Sequence, residues 1–255
     1  MNGWTAIVLA GSRPGVDKFA AQYGTDLKAL IPVCGVPMVS RPVNALLMSP
    51  AIRGVCVVSQ EPGRIVDALP SNSRLTVKMS GPTIASTLDT ILADPKTQFP
   101  LLVTTADHAL LSQDMVADFC SKAEGADLAI GLVERRPLMA RLPQTKRTWL
   151  KFRGGAYSGA NLFALGSPDA AKAIALWRSV EQDRKKGWRM IAALGPAVLT
   201  GVLLRIWTMD QTLASVGKRL GLAIRKVELA NPLAAVDVDK PADHQLVTAS
   251  LKGRA

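Results

Sequence analysis

The residues of this chain that could do chemistry fall in short clusters at the ends of apolar runs. The run Thr5 to Leu9 stops at Ala10-Gly11-Ser12-Arg13-Pro14-Gly15, where glycines without a Cβ let backbone N–H groups close on an anion such as a phosphate. A second cluster, Lys28-Ala29-Leu30-Ile31-Pro32-Val33 followed by Gly35-Val36-Pro37-Met38, sets a cation beside an apolar segment. In Thr104-Thr105-Ala106-Asp107-His108 an apolar run ends in a carboxylate. Val236-Asp237-Val238-Asp239 offers two more, which point the same way if that segment is extended. Mg2+ takes hard oxygen ligands, one or two carboxylates together with phosphate oxygens, and Asp107 sits where a strand end could supply one. Each cluster also has a plainer use. Gly11 to Gly15 serves as a tight turn, Lys28 as a surface lysine, Asp107 as a helix cap with Ser112 available for the same task, and His108 as a polar loop residue.

For these clusters to meet, strands must carry them to a common edge. Short apolar runs at Thr5 to Leu9, Gly54 to Ser59, Leu75 to Lys78, Leu101 to Thr105 and Asp127 to Val133 read as strands. Between them Met38 to Met48, Arg64 to Leu69, Thr83 to Ala93 and Gln113 to Ala123 read as helices. That alternation predicts an α/β fold with a parallel sheet, and right-handed crossovers then gather the strand ends on one side. Ligands of such sheets sit beyond the carboxyl ends of the strands, so Gly11 and Asp107 are expected as neighbours. After residue 133 the pattern changes to a basic stretch, Arg135 to Arg153, and a glycine-rich strand, Gly154 to Leu165. Helical segments follow around 168–184, 187–207 and 210–220, then a strand from Ala223 to Glu228 and a helix from Pro241. No linker or repeat divides the chain, so the expectation is a single domain over residues 1–255.

The loop Leu9-Ala10-Gly11-Ser12-Arg13, taken with Lys28 to Val33 and Gly35 to Met38, resembles a family of nucleotidyltransferases. That family includes the molybdenum-cofactor guanylyltransferases, the sugar-1-phosphate nucleotidyltransferases and the cytidylyltransferases of small phosphorylated alcohols. The resemblance implies a Rossmann-like three-layer sandwich with a mostly parallel sheet, elaborated here by a helical C-terminal half. It assigns nucleotide binding to residues 1–133, and the acceptor with the closing metal segment to 134–255. Leu9, Ala10, Gly11, Ser12, Arg13 and Lys28 are then the triphosphate-binding residues, and Lys28, Arg13 and Asp107 the catalytic set. Arg13 and Lys28 would neutralise oxygens whose charge redistributes as the α-phosphorus is attacked. Ser12 departs from the family pattern, which usually has a second glycine there, and Lys18 is a rival for the lysine role.

By the same resemblance Asp107 and Asp239 bind Mg2+, and Asp237 assists or substitutes. Asp243 reads instead as a first-turn carboxylate favoured by the helix dipole. Gly81 and Ser86 stand where the family reads the nucleobase, although Thr83 beside them also fits an ordinary helix cap. Tyr157, Gly159 and Asn161 stand where the family faces its acceptor. The implied reaction is Mg2+-dependent transfer of a nucleoside monophosphate from an NTP, with CTP or GTP favoured, to a small phosphorylated acceptor, releasing pyrophosphate. Such an acceptor is already anionic and needs no general base, which agrees with a histidine count of 2.

Composition fits that reading and keeps others open. Lys and Arg number 31 against 20 Asp and Glu, a net charge of +11 that favours an anionic partner. Bases and aromatics interleave in Lys146 to Arg153 and again in Arg184 to Arg189, so an alternative is a surface-binding protein for RNA or anionic lipid. The apolar stretch Ile191 to Met209 could then make peripheral contact with a membrane, whereas no stable nucleic-acid partner is expected. A nucleotide-sugar glycosyltransferase of similar fold is a further alternative. The cations Arg13 and Lys28 argue against it, because a triphosphate calls for more positive charge than a diphosphate-sugar. Cys34, Cys56 and Cys120 form no C-x-x-C pair, so neither a zinc site nor a disulfide framework is suggested. Without a signal-peptide pattern, or an apolar run of the ~20 residues a spanning helix needs, a cytoplasmic location is expected.

Overall fold

The computed structural model describes residues 3–12, 15, 17–145, 147–181, 198, 200–201 and 204–253. In chain order the elements begin with β1 (Trp4–Leu9), α1 (Lys18–Ala21), the short hairpin β2 (Pro32–Val33) and β3 (Val36–Pro37), and α2 (Ser40–Met48). They continue through β4 (Ile52–Ser59), α3 (Pro62–Val66), β5 (Leu75–Met79), α4 (Ile84–Ala93), β6 (Leu101–Thr105) and α5 (Gln113–Ala123). Next come β7 (Leu128–Glu134), α6 (Arg135–Arg141), β8 (Leu150–Phe152), β9 (Gly155–Leu165) and α7 (Ala171–Glu181). The last are α8 (Met209–Leu220), β10 (Ile224–Glu228) and α9 (Pro241–Lys252).

Alternation along β1 explains the layers. Ala6 and Val8 face one side, where they join Val55, Val57 and Leu102 under Val43 and Leu46 of α2 and Val116 and Phe119 of α5. Ile7 faces the other with Cys56, Val58 and Val103, covered by Ala85 and Leu88 of α4 and Ile174 of α7. A strand buried on both faces has to be apolar throughout, which is why these runs lack an alternating polar pattern. Each Val, Leu, Ile or Phe among them contributes about 1.5–3 kcal/mol when fully buried.

The main sheet runs β10-β7-β9-β6-β1-β4-β5, with β8 paired to β9. β1, β4, β5 and β6 are mutually parallel, and so are β7 and β10, but β9 is antiparallel to all three of its partners, β6, β7 and β8. The mostly parallel sheet thus carries one reversed strand between its two parallel parts. Because β9 and β10 pair with β6 and β7, the two halves of the sequence share this sheet.

Several boundaries differ for local reasons. α3 starts at Pro62 instead of 64, with proline in the first turn, where its missing N–H costs nothing. The basic stretch contains α6, a helix the charges had masked. The helical reading of 187–207 falls largely outside the described residues. Among the described residues, no helix is long and apolar enough to cross a membrane.

Candidate active site

The glycine loop leaves the sheet at its centre. Ala10 N–H donates to Val58 O and Ala106 N–H donates to Leu9 O, each at 2.9 Å, so the loop emerges between the ends of β4 and β6. Beyond it Ser12 N–H donates to Gln60 Oε1 at 2.9 Å. The Gln60 side chain lies against Gly11, where a Cβ would come within 3.1 Å of its amide. Arg13 lies outside the described residues.

Lys28 opens a 3-10 turn, Lys28–Leu30, that the hairpin β2–β3 braces. Cys34 and Gly35 both have positive φ, 50° and 76°, as a tight two-residue hairpin requires. Met38 N–H then reaches Ile31 O and Val39 N–H reaches Ala29 O, each at 2.9 Å, which ties the turn to the start of α2. Ala29, Ile31 and Val33 are buried, and Lys28 is turned toward the strand ends. Its Nζ donates to Asp107 Oδ2 at 2.6 Å and to Asp239 Oδ1 at 2.5 Å. Burial works to lower the Lys28 pKa, but the charges and hydrogen bonds of Asp107 and Asp239 outweigh it and hold the ammonium above its usual value.

Asp107 follows β6, and Thr105 Oγ1 donates to its Oδ1 at 2.5 Å. The closing segment is pinned to the same place, since Val238 N–H donates to Asp107 O at 3.1 Å. The cap of α5 is Ser112, whose side chain accepts from Met115 N–H, so Asp107 is free of that duty. His108 lies in the loop between β6 and α5, as expected, but is buried there: it is 1% exposed, with Nδ1 3.3 Å from Thr104 Oγ1. Burial pushes its pKa down to about 4 against the charge of Asp107 and the Ala234 backbone, which favours a neutral ring.

Asp237, expected to assist or substitute as a metal carboxylate, has both oxygens engaged by other side chains. Its Oδ1 takes Arg147 Nη1, and its Oδ2 accepts from Asn161 Nδ2 at 3.2 Å. Arg147 also approaches Asp243 Oδ1 at 3.7 Å through Nη2, while Asp243 Oδ2 accepts Asp239 N–H at 3.3 Å. Burial raises the Asp237 pKa, Arg147 opposes that, and the charges of Asp239 and Asp107 add to it. Among the described residues no three His, Cys, Asp or Glu side chains gather as a metal cluster. Mg2+ asks for less. Asp107 and Asp239 meet at a single cation, their oxygens are hard donors, and phosphate and water can fill the remaining positions, so this pair fits Mg2+.

Beside the pair lies a cleft of about 370 Å³, lined by Arg147, Ser158, Gly159, Asn161, Asp237 and Asp239 among others. Two expected acceptor residues, Gly159 and Asn161, line it. Tyr157 does not: it packs with Leu132 and Met209, under Lys226 Nζ at 5.1 Å from its ring centroid. The register between β7 and β9 slips between Ile130 and Leu132, and Asn161 sits at φ 47°. Tyr157 and Asn161, grouped by the family resemblance, thus stand apart, Tyr157 before an irregularity in β9 and Asn161 within it.

At the third corner, Thr83 and Ser86 form a capping box at the start of α4. Ser86 Oγ accepts Thr83 N–H at 3.0 Å, and Gly81 N–H donates to Thr87 Oγ1 at 3.0 Å. The Ser86 hydroxyl is thus engaged in the cap, whereas the buried Ser80 hydroxyl has no partner among the described residues. Sequence reasoning missed Gln60, and it placed Arg147 on a basic surface. Trp149, partly buried against the core with Arg135 5.8 Å above its ring, was the available sign that this run turns inward.

The chain matches the family model of the MobA-like NTP transferase domain over residues 6–197. Among solved structures, a hypothetical transferase from Thermus thermophilus is 30% identical, with 95% of this chain and 99% of that chain covered and a TM-score of 0.79. The 4-diphosphocytidyl-2C-methyl-D-erythritol synthase of Anaerococcus prevotii is 10% identical, covers 98% of this chain and 96% of its own, and has a TM-score of 0.61. A CMP:2-keto-3-deoxy-manno-octonic acid synthetase complexed with CTP is 13% identical, with 99% and 100% covered and a TM-score of 0.62. The last two likenesses are of fold. No curated protein gives a significant match.

Proposed function

The chain belongs to the MobA-like NTP transferase family and is a nucleotidyltransferase, and we propose that it transfers a nucleoside monophosphate from an NTP to a small phosphorylated acceptor. The observation that carries this reading is the ammonium of Lys28 held between Asp107 and Asp239, with Asp107 next to the bond from Ala106 N–H to Leu9 O where the glycine loop leaves β1. A cation and two carboxylates at that point are what a triphosphate with its metal would engage.

In this reading Asp107 and Asp239 hold Mg2+, which supplies charge neutralisation for the phosphate oxygens. Lys28 leaves the carboxylates and donates to a phosphate oxygen, where its charge grows in value as negative charge develops during transfer. The Gly11 and Ser12 amides face the triphosphate once Gln60 gives up Ser12 N–H. Arg13 adds a second cation by family likeness. Ser158, Gly159 and Asn161 present the acceptor from the cleft. An oxygen of the acceptor attacks the α-phosphorus, the bond to the bridging oxygen breaks, and pyrophosphate leaves with that electron pair. An anionic acceptor has no proton to surrender, so the lack of a histidine lining the cleft is no obstacle. The corner at Ser80, Gly81 and Ser86 reads the nucleobase, with CTP and GTP the candidates.

The test is stabilisation of the chain by each of the four ribonucleoside triphosphates, with and without Mg2+, compared between wild type and Asp107→Ala. Selective Mg2+-dependent stabilisation that disappears in the variant supports the reading and names the base. If no triphosphate stabilises the wild type, the reading is wrong.

A further inference from the structure

Asp237 lines the same cleft as Asp239, two residues away, yet none of its hydrogen bonds is to Lys28. Both of its oxygens are occupied from other directions. Arg147 comes from the loop before β8 and Asn161 from the irregular turn of β9. The Arg147 side chain is 9% exposed and spans Asp237 and Asp243, an arrangement of fixed donors that does not release a carboxylate easily. Asn161 holds a left-handed backbone, φ 47°, while presenting its amide to the second oxygen. Two unrelated elements thus converge on one carboxylate that the sequence would have supplied to the metal.

The geometry points to Arg147 and Asn161 as residues that withhold Asp237 from the metal, so that the site offers two carboxylates instead of three. The inference rests on the Mg2+ reading above. It has a chemical reason. A metal that must bind a triphosphate keeps positions for phosphate oxygens, and its pull on them weakens with each anionic ligand the protein adds. Releasing Asp237 would give a site that binds the free ion more tightly and serves the substrate less well. The charge of Asp237 is still felt: it lies close enough to Asp239 and Asp107 to interact electrostatically with both.

Mn2+ is the probe, titrated into the full chain without nucleotide and followed by water-proton relaxation. Asp107→Asn should lose at least about tenfold in affinity, which tests the metal site itself. Arg147→Gln should instead tighten Mn2+ by about tenfold, since it frees a carboxylate beside the ion. Asn161→Gly tolerates the left-handed backbone, releases only one oxygen, and should tighten binding several-fold, so it decides the matter if Arg147→Gln fails to fold. The pair Arg147→Gln with Asp237→Asn should return to within about threefold of wild type, because the withheld ligand is gone. No Mn2+ binding by wild type overturns both the Mg2+ reading and this inference. Loss in Asp107→Asn without tightening in Arg147→Gln or Asn161→Gly overturns the inference alone. So does a tightening that survives in the double variant.

Discussion

Replacing Lys28 by Met keeps the length of the side chain and removes its charge, which isolates what the ammonium does. In the Lys28–Asp107 pair the side chains are 23% and 18% exposed, whereas Asp239 is 62% exposed. Breaking a fully buried pair costs about 3–5 kcal/mol, and this pair, still touching water, falls below that range. The exposed Asp239 contact is worth less than about 1 kcal/mol. The two carboxylates are also left facing each other, so a total near 2 kcal/mol is expected in chelator. For a chain of this size about 2–4 °C accompanies each kcal/mol, so Tm should fall by about 6 °C. Millimolar Mg2+ should then restore much of the loss, because the oxygens that held the ammonium are open to a divalent ion. The variant should gain more from Mg2+ than wild type does, while its turnover drops by about 10²–10³. Thermal melts of both proteins in EDTA and in Mg2+ provide the measurement. Equal stability in EDTA, or equal gains from Mg2+, would refute the reasoning.

Gly81→Ala should destabilise by about 1–3 kcal/mol, because its Cβ would stand 2.6 Å from Ser86 Oγ and 3.2 Å from Thr87 N in the capping box. Gly11→Ala has the movable end of the Gln60 side chain as its nearest neighbour, so its Tm should stay near wild type while triphosphate binding weakens; comparable losses of Tm would contradict this contrast. Gln60→Ala frees the Ser12 N–H and should tighten triphosphate binding by about fivefold, the worth of one competing hydrogen bond; weaker binding in a titration would show that Gln60 shapes the loop. His108 is neutral when folded, with a pKa of about 4 against about 6.5 unfolded, so the unfolded chain binds more protons between these values. Stability should therefore fall by up to about 3 kcal/mol as pH drops from about 6.5 toward 4, with the raised Asp237 titrating in the opposite sense near the acid end. Urea melts in EDTA should show this slope in wild type and a flatter one in His108→Gln; parallel slopes would remove His108 as the cause.

What the sequence disclosed and what it hid follow from the range of the forces involved. β6 and α5 coincide with their expected bounds, since a buried apolar run and a Ser-capped helix are set by neighbours a few residues away. Lys28, Asp107 and Asp239 were recognisable because each lies in its own short motif, although their meeting at one nitrogen is a product of the whole topology. The antiparallel β9 was not legible, because strand direction depends on which edge the chain returns to. The packing of Tyr157 against Leu132 and Met209, away from the cleft, was hidden for a related reason: the motif that grouped it with Asn161 carries no warning of the register slip beyond Gly159. Arg147 looked like part of a solvated charge run, and its partners Asp237 and Asp243 lie about ninety residues further on.

The bond from Val238 N–H to Asp107 O and the reach of Lys28 to Asp239 close a circuit between the two ends of the sequence. On the ribosome this makes the site a late arrival. The glycine loop, Lys28 and Asp107 belong to the same sheet and core as the C-terminal strands, so the cluster they form with Asp239 is complete only when the last of the chain has been made. Asp239 joins only after β9 and β10 have found their places in the sheet, a step that carries the entropy of closing a long loop. A nascent chain therefore cannot bring Lys28, Asp107 and Asp239 to one point before its last strands have paired. The meeting of these three side chains then reports that the C-terminal segment has docked.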